Sequence, residues 1–342
     1  MKKLLMLALL AAVACVVPRG PARAWEYQGH ELVGAIADAL LANTASGQQM
    51  KQVLGAYTLN KAAMWADCVR AVHRDGNRFE YRRRDAECAP FETADERARM
   101  EDYARRNWDN CDGGQGGCHT TYHYADVARF QDHYSERFVG TFRTDIVQTL
   151  GYAIQVLQTG QPVRQPVNIK DAKEALLIIA HLMGDMHQPL HVGALYLRRD
   201  GVEMNPDQPA GQNHVVIERD NATRGGNSIA VPGGPLHHVW DALPEAWGVR
   251  ATPEFVAAAR AMPLTRAQID MQPRLWASET IRQSKVALEG LTIQPYNEHD
   301  KKWPASFRDP DGYRRMREAM QREQVVKAGR RLAELLDDIW RR

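Results

Sequence analysis

Beyond its first two dozen residues the sequence has no long apolar run, so nothing in the body of the chain reads as a membrane anchor. Neither sign of charge dominates. Forty-four Lys and Arg stand against 42 Asp and Glu, and a formal charge of +2 is too small for a strongly basic nucleic-acid clamp. Cysteine is scarce, five in 342 residues, and no close CxxC pair offers a thiolate metal site. No internal repeat or low-complexity linker divides the chain. The P-loop GK[ST] and the GxSxG elbow are missing, and His30-Glu31 lacks the second His of HExxH.

What is present fits an ordinary globular protein, with 44% hydrophobic and 25% charged residues. The one long apolar run, Leu4 to Val17, follows Lys2 and Lys3 and precedes the small-residue stretch Ala22-Arg23-Ala24. This pattern predicts a secretory signal peptide over residues 1–24. Its removal takes away Lys2, Lys3, Arg19 and Arg23 and turns the formal charge to −2. Cys15 lacks the flanking residues of a lipid acceptor. An even set then remains, Cys68, Cys88, Cys111 and Cys118, in a chain addressed to the periplasm or the exterior. Two disulfides are expected, with three possible connectivities. The Gly-rich turn between Cys111 and Cys118 favours that pair and leaves Cys68 with Cys88.

Apolar periodicity of about 3.6 predicts a mainly α, single-domain, multi-helix fold over residues 25–342. Helices are expected at about 30–43, 46–56, 60–70, 92–106, 143–159, 170–187, 236–243, 253–261, 273–289 and 311–340. The exception is 194–231, where Ala194–Leu197 and His214–Glu218 predict a small β-hairpin excursion. The Arg-rich stretch from Arg70 to His119 reads as a surface insertion held by disulfides. Its mixed charges from Arg82 to Arg106 read as a solvated face.

The chemistry concentrates in His181-Leu-Met-Gly-Asp185-Met-His187-Gln-Pro-Leu-His191. His181 and Asp185 are four apart on the end of a helix and share a face, one turn above Leu177. An imidazole and a carboxylate on an apolar face call for a partner, and a cation serves. Pro189 ends the helix, which lets His191 approach from another direction. His237 and Asp241 repeat the four-residue spacing. Imidazole and carboxylate without thiolate suit zinc, with manganese and iron as alternatives. His187 and His238 face away from this set, and His73, His119, His133, His214 and His299 sit at no ligand spacing.

Six ordered motifs resemble the S1/P1 type of zinc-dependent single-strand nucleases, related in fold to bacterial zinc phospholipase C. They are Trp25 with His30, Trp65-Ala-Asp67 with Arg70, His123-Tyr-Ala-Asp126, the His181–His191 string, Gly225-Gly226-Asn227, and Leu236-His-His-Val-Trp-Asp241. The resemblance implies three zinc ions. Asp67, His123, His181 and Asp185 would hold the first; Trp25 and His30 the second, with Asp185 bridging; His191, His237 and Asp241 the third. Trp25 would bind through its free α-amino group and carbonyl, which requires cleavage after Ala24.

The resemblance also assigns Asp126 to orienting the attacking water and Arg70 to binding phosphate, and it places Asn227 near the site. Tyr124, beside His123, can stack on a base. The 56 positions between Asp67 and His123, wide for this family, leave His73 as a reserve ligand. The expected function is a monomeric endonuclease acting on single-stranded DNA, RNA and nucleotides. It would release 5′-phosphorylated products, with 3′-nucleotidase activity and no stable protein partner. The alternatives are a zinc phospholipase C, whose relatives end the ligand set on Glu where this chain has Asp241, and a non-catalytic zinc-binding protein.

Overall fold

The computed structural model describes residues 25–83, 85–111, 116–208 and 221–341. The expected signal segment, with Cys15, and the expected strand 214–218, with His214, lie outside them. Eleven α-helices occur among the described residues: α1 (Glu26–Leu41), α2 (Ala45–Leu54), α3 (Leu59–Ala62), α4 (Trp65–Val69), α5 (Ala94–Arg106), α6 (Ile146–Thr159), α7 (Ala172–Asp185), α8 (Leu236–Asp241), α9 (Pro253–Ala261), α10 (Gln272–Ala287) and α11 (Pro310–Trp340). None is long and apolar enough to cross a membrane.

Local chemistry sets the helix ends. Asp145 accepts hydrogen bonds from the Val147 and Gln148 N–H groups to open α6, and Gly160, at φ 68°, closes it. Asp171 caps α7 by accepting from Glu174 N–H, and Asp309 caps α11 with Pro310 in its first turn. Every residue of α7 from Glu174 to Asp185 is buried, so this helix is core on all its faces. α1, α6 and α11 pack against it, and α1 also lies along α3 and α11. The helix that carries His181 and Asp185 is therefore held in a wall of close-packed side chains.

The expected helix over 60–70 is two short helices, broken at Ala63 and Met64. The break has a use, because the Ala63 carbonyl accepts from His181 Nδ1 at 2.6 Å, whereas a continuous helix would return it to the N–H four residues on.

Strands are short. β1 (Val72–Asp75) and β2 (Arg78–Tyr81) form a hairpin, and β3 (Val127–Ala128) pairs in parallel with β4 (Gly193–Ala194). Four further strands make one sheet of order β6-β5-β8-β7: β5 (Ile229–Val231), β6 (Gly234–Pro235), β7 (Leu291–Ile293) and β8 (Trp303–Phe307). The expected excursion at 194–197 takes a different form. Ala194 joins β3, while Tyr196 and Leu197 make isolated bridges to Ala222 and Glu203. A second apolar cluster, including Leu190, Ile229, Trp240 and Trp303, lies between the sheet, α8 and α11 and fixes α8 against the body.

Cys68 joins Cys88, and Cys111 joins Cys118, the pairing favoured by the sequence. The stretch between Arg70 and His119 is less solvated than its composition implies. α5 buries Met100, Tyr103 and Ala104 and docks on the start of α7 through Arg99–Asp171 at 2.8 Å and Arg106–Glu174 at 2.6 Å, the Glu174 side chain being fully buried.

Candidate metal centre

Three groups of buried His and Asp side chains bring their ligand atoms within 4.8 Å of one another: His30, His181 and Asp185; Asp67, His123 and His181; His191, His237 and Asp241. α1 supplies His30, α4 Asp67, α7 His181 and Asp185, and α8 His237 and Asp241, with His123 and His191 in the connecting segments. Gly184 is required for this meeting, since a Cβ there would lie 2.7 Å from His30 Nδ1.

Asp185 links the groups. Its Oδ2 lies 3.0 Å from His181 Nε2 and 3.1 Å from His123 Nδ1, and its Oδ1 lies 3.2 Å from His30 Nε2 and 3.8 Å from His191 Nδ1. Backbone carbonyls orient the imidazoles. His181 Nδ1 donates to Ala63, His191 Nδ1 to His123 at 2.7 Å, and His237 Nδ1 to Gly225 at 2.9 Å. In its neutral form each of these rings therefore presents Nε2 as its lone pair.

The donor set lacks a partner. His191 and His237 face each other through Nε2 at 3.1 Å, and His123 Nδ1 lies 2.9 Å from His181 Nε2. Paired imidazole nitrogens this close repel unless a proton or cation lies between them. Both nitrogens of His30, Asp67 Oδ2, Asp185 Oδ1 and Asp241 Oδ2 are buried without a hydrogen bond. Five orphaned atoms in one cluster of metal-ligand types fit divalent cations.

Electrostatics agrees. Burial lowers His123 and His237 to about 4, against opposition from Asp185, so both rings are neutral and able to ligate. Burial works against the Asp67 carboxylate, but His181, Arg70, His123 and His30 outweigh it and hold it at about 2. Burial raises Asp241 to about 8, beyond what His191, Gln188 and the Trp25 N–H offset. His181 moves the other way: burial lowers it, but Asp185 and Asp67 prevail and lift it to about 9, so a cation must displace its proton.

Trp25 is fully buried in a left-handed conformation, φ 41°, with its indole N–H donating to the Gly184 carbonyl and its backbone N–H 3.2 Å from Asp241 Oδ1. Arg70 caps α4 and places Nη1 3.2 Å from Asp67 Oδ1. Asp126 is buried and receives the Gly225 N–H; burial raises it to about 6. Tyr124 is half-buried. Asn227 turns its amide back to donate to the Arg224 carbonyl. His73 lies in β1 opposite Glu80 and joins none of the three groups.

His187 faces away from the cluster, donating to the Met183 carbonyl and accepting from Arg331, but it is fully buried. Sequence reasoning passed over Gln188. Its fully buried amide donates to Asp241 Oδ1 at 2.7 Å and accepts from Leu190 N–H, which leaves Asp241 Oδ2 open. Only its place inside the His181–His191 string pointed to it.

A helical body that collects imidazoles and carboxylates from four helices around one bridging aspartate defines a candidate metal-dependent hydrolase. The S1/P1 Nuclease family model matches residues 25–341, nearly the whole chain, and the protein belongs to that family. The family is one of zinc-dependent nucleases, so the enzyme class is hydrolase and the substrates are nucleic acids. No curated protein matches the chain.

Proposed function

We propose that this protein is a secreted or periplasmic trinuclear zinc phosphodiesterase. It cleaves single-stranded DNA and RNA to 5′-phosphorylated products and acts as a 3′-nucleotidase. The observation that carries this reading is the cluster of orphaned His and Asp atoms gathered around Asp185. In this reading residues 25–342 work as one monomeric nuclease domain, with 70–119 as its disulfide-held insertion. Trp25, exposed as the N-terminus by removal of residues 1–24, joins His30 and Asp185 at the second ion. Asp67, His123 and His181 complete the first, and His191, His237 and Asp241 hold the third.

Zinc at such a site supplies Lewis-acid polarisation of the phosphodiester and activation of water near neutral pH. The side chains supply the rest. Asp126 orients the attacking water and accepts its proton. Arg70 forks onto phosphate oxygens, with Asp67 fixing its approach. Tyr124 offers a ring face to an unstacked base, and Asn227 keeps its amide oxygen as an acceptor. A duplex holds its bases in the stack, so this arrangement selects single strands.

Digestion of a single-stranded oligonucleotide by protein beginning at Trp25, followed by end-group analysis, tests the reading. Release of 5′-phosphorylated products, lost on chelation and regained with zinc, is expected. No cleavage by zinc-loaded protein with that N-terminus would overturn it.

Gln188 gives a second expected outcome. Gln188→Leu removes the side-chain donor on Asp241 Oδ1, the shorter of its two hydrogen bonds, and loss of a hydrogen bond that orients a metal ligand costs roughly 10–100-fold in metal affinity. A chelator-competition titration should show one zinc per chain weakened by that factor with the others unchanged. Equal affinity for all ions in variant and wild type would count against the role.

A further inference from the structure

Arg224, Gly225 and Gly226 take three successive left-handed conformations, at φ 52°, 54° and 87°. Gly225 is required by contact, because a Cβ there would fall 2.0 Å from the Leu190 carbonyl oxygen. At Arg224 the side chain is a liability, since a non-glycine residue in this region carries a cost on the order of 1–3 kcal/mol. The turn is also tightly fixed. Gly226 and Ser228 N–H donate to the Thr223 carbonyl, and Asn227 N–H donates to Arg224, all at 3.0 Å. Gly225 hydrogen-bonds Asp126 through its N–H and His237 through its carbonyl. The turn thus sits between the carboxylate assigned to the water and a member of the third metal group, and it presents one exposed arginine.

Among the described residues the Arg224 guanidinium forms no ion pair, whereas Arg70 is offset by Asp67. Its charge reaches Asp126, where it acts against the effect of burial. An unpaired planar cation, held by a strained backbone at the edge of a phosphodiester site, suits a phosphate oxygen better than any other nucleic-acid group.

We propose that Arg224 is a second phosphate-binding residue of this site, gripping the substrate backbone alongside Arg70. This rests on the nuclease reading. It also gives a side chain at a left-handed position a use that glycine could not supply.

The test uses zinc-loaded protein beginning at Trp25 and a fluorescein-labelled phosphorothioate oligothymidylate eight residues long, with binding followed by anisotropy across a salt series. Arg224→Gly should weaken binding about tenfold, the scale of one charge-assisted hydrogen bond. The plot of log affinity against log salt should become shallower by about 0.7, the value for one single-strand phosphate contact. Zinc content should be unchanged and thermal stability equal or higher, because glycine accepts the left-handed φ. Arg224→Lys should keep the salt slope.

Unchanged affinity and slope in Arg224→Gly would overturn the proposal, as would loss of zinc or a lower melting temperature, which would make the residue structural. Wild-type protein that binds the probe but cleaves no unmodified oligonucleotide would defeat the nuclease reading alone. Wild-type protein that does not bind would defeat both.

Discussion

Asp185→Asn should abolish detectable cleavage and strip the protein of at least two zinc ions. No other carboxylate in the cluster lies against so many imidazoles. The carboxylate lies within 3.2 Å of His30, His123 and His181 and within 3.8 Å of His191, while being fully buried itself. His181, His191 and His30 outweigh burial and hold it ionised far below the usual carboxylate range. Asparagine keeps the shape but removes the charge, and its amide nitrogen has no lone pair for a metal. Two cations would then share a site with only Asp67 and Asp241 as anions.

The expected fall in kcat is roughly 10⁴ or more, equivalent to the several kcal/mol of transition-state stabilisation that bound metal supplies. Elemental analysis of dialysed, folded protein checks the metal loss. Full zinc content in the variant would remove Asp185 from its bridging role.

Asp126→Asn should behave differently, keeping all bound zinc while turnover falls by about 10²–10⁴-fold, the range for loss of a positioned general base. The separation is possible because Asp126 belongs to none of the three ligand groups and is held by the Gly225 N–H instead. Wild-type activity should also fall on acidification as this carboxylate takes up a proton. Burial raises Asp126 to about 6, above an ordinary aspartate, whereas Arg224 and any cation bound nearby pull it down. The acid limb of kcat/KM should therefore lie no higher than about pH 6. Unchanged turnover in Asp126→Asn would remove the assigned role.

Much of the helical framework could be read directly. Apolar stripes such as Ile146, Leu150, Ile154 and Leu157 are local signals, and the helix that this one predicts is present, with Asp145 and Gly160 at its ends. The break at Ala63–Met64 carries no Gly or Pro and could not be seen, because its cause is distant: a carbonyl turned toward His181. The four-stranded sheet escaped for a related reason. Its strands are two to five residues long, too short for alternation to register, and β5 pairs with β8 from more than seventy residues away.

The site divides in the same manner. His181 with Asp185, and His237 with Asp241, were legible because four-residue spacing on a helix places two side chains on one face. Trp25, His30, Asp67, His123, Asp126 and Arg70 came from motif resemblance, since spacing alone gives no sign that these segments converge. Gln188 had no signal beyond sitting inside the His181–His191 string, and Arg224 none beyond preceding Gly225-Gly226-Asn227. Their significance lies in a hydrogen bond across 53 positions and in a backbone angle.

The sequence by itself determined that the chain is mainly helical, roughly where most of its helices lie, and which residue types carry the chemistry, because those depend on neighbours a few positions apart. The tertiary structure alone decided that seven other imidazole and carboxylate side chains gather with Asp185, that Ala63, His123 and Gly225 aim the rings, and that a strained arginine stands beside Asp126. Those facts depend on contacts between distant segments, which packing of the whole chain must first bring together.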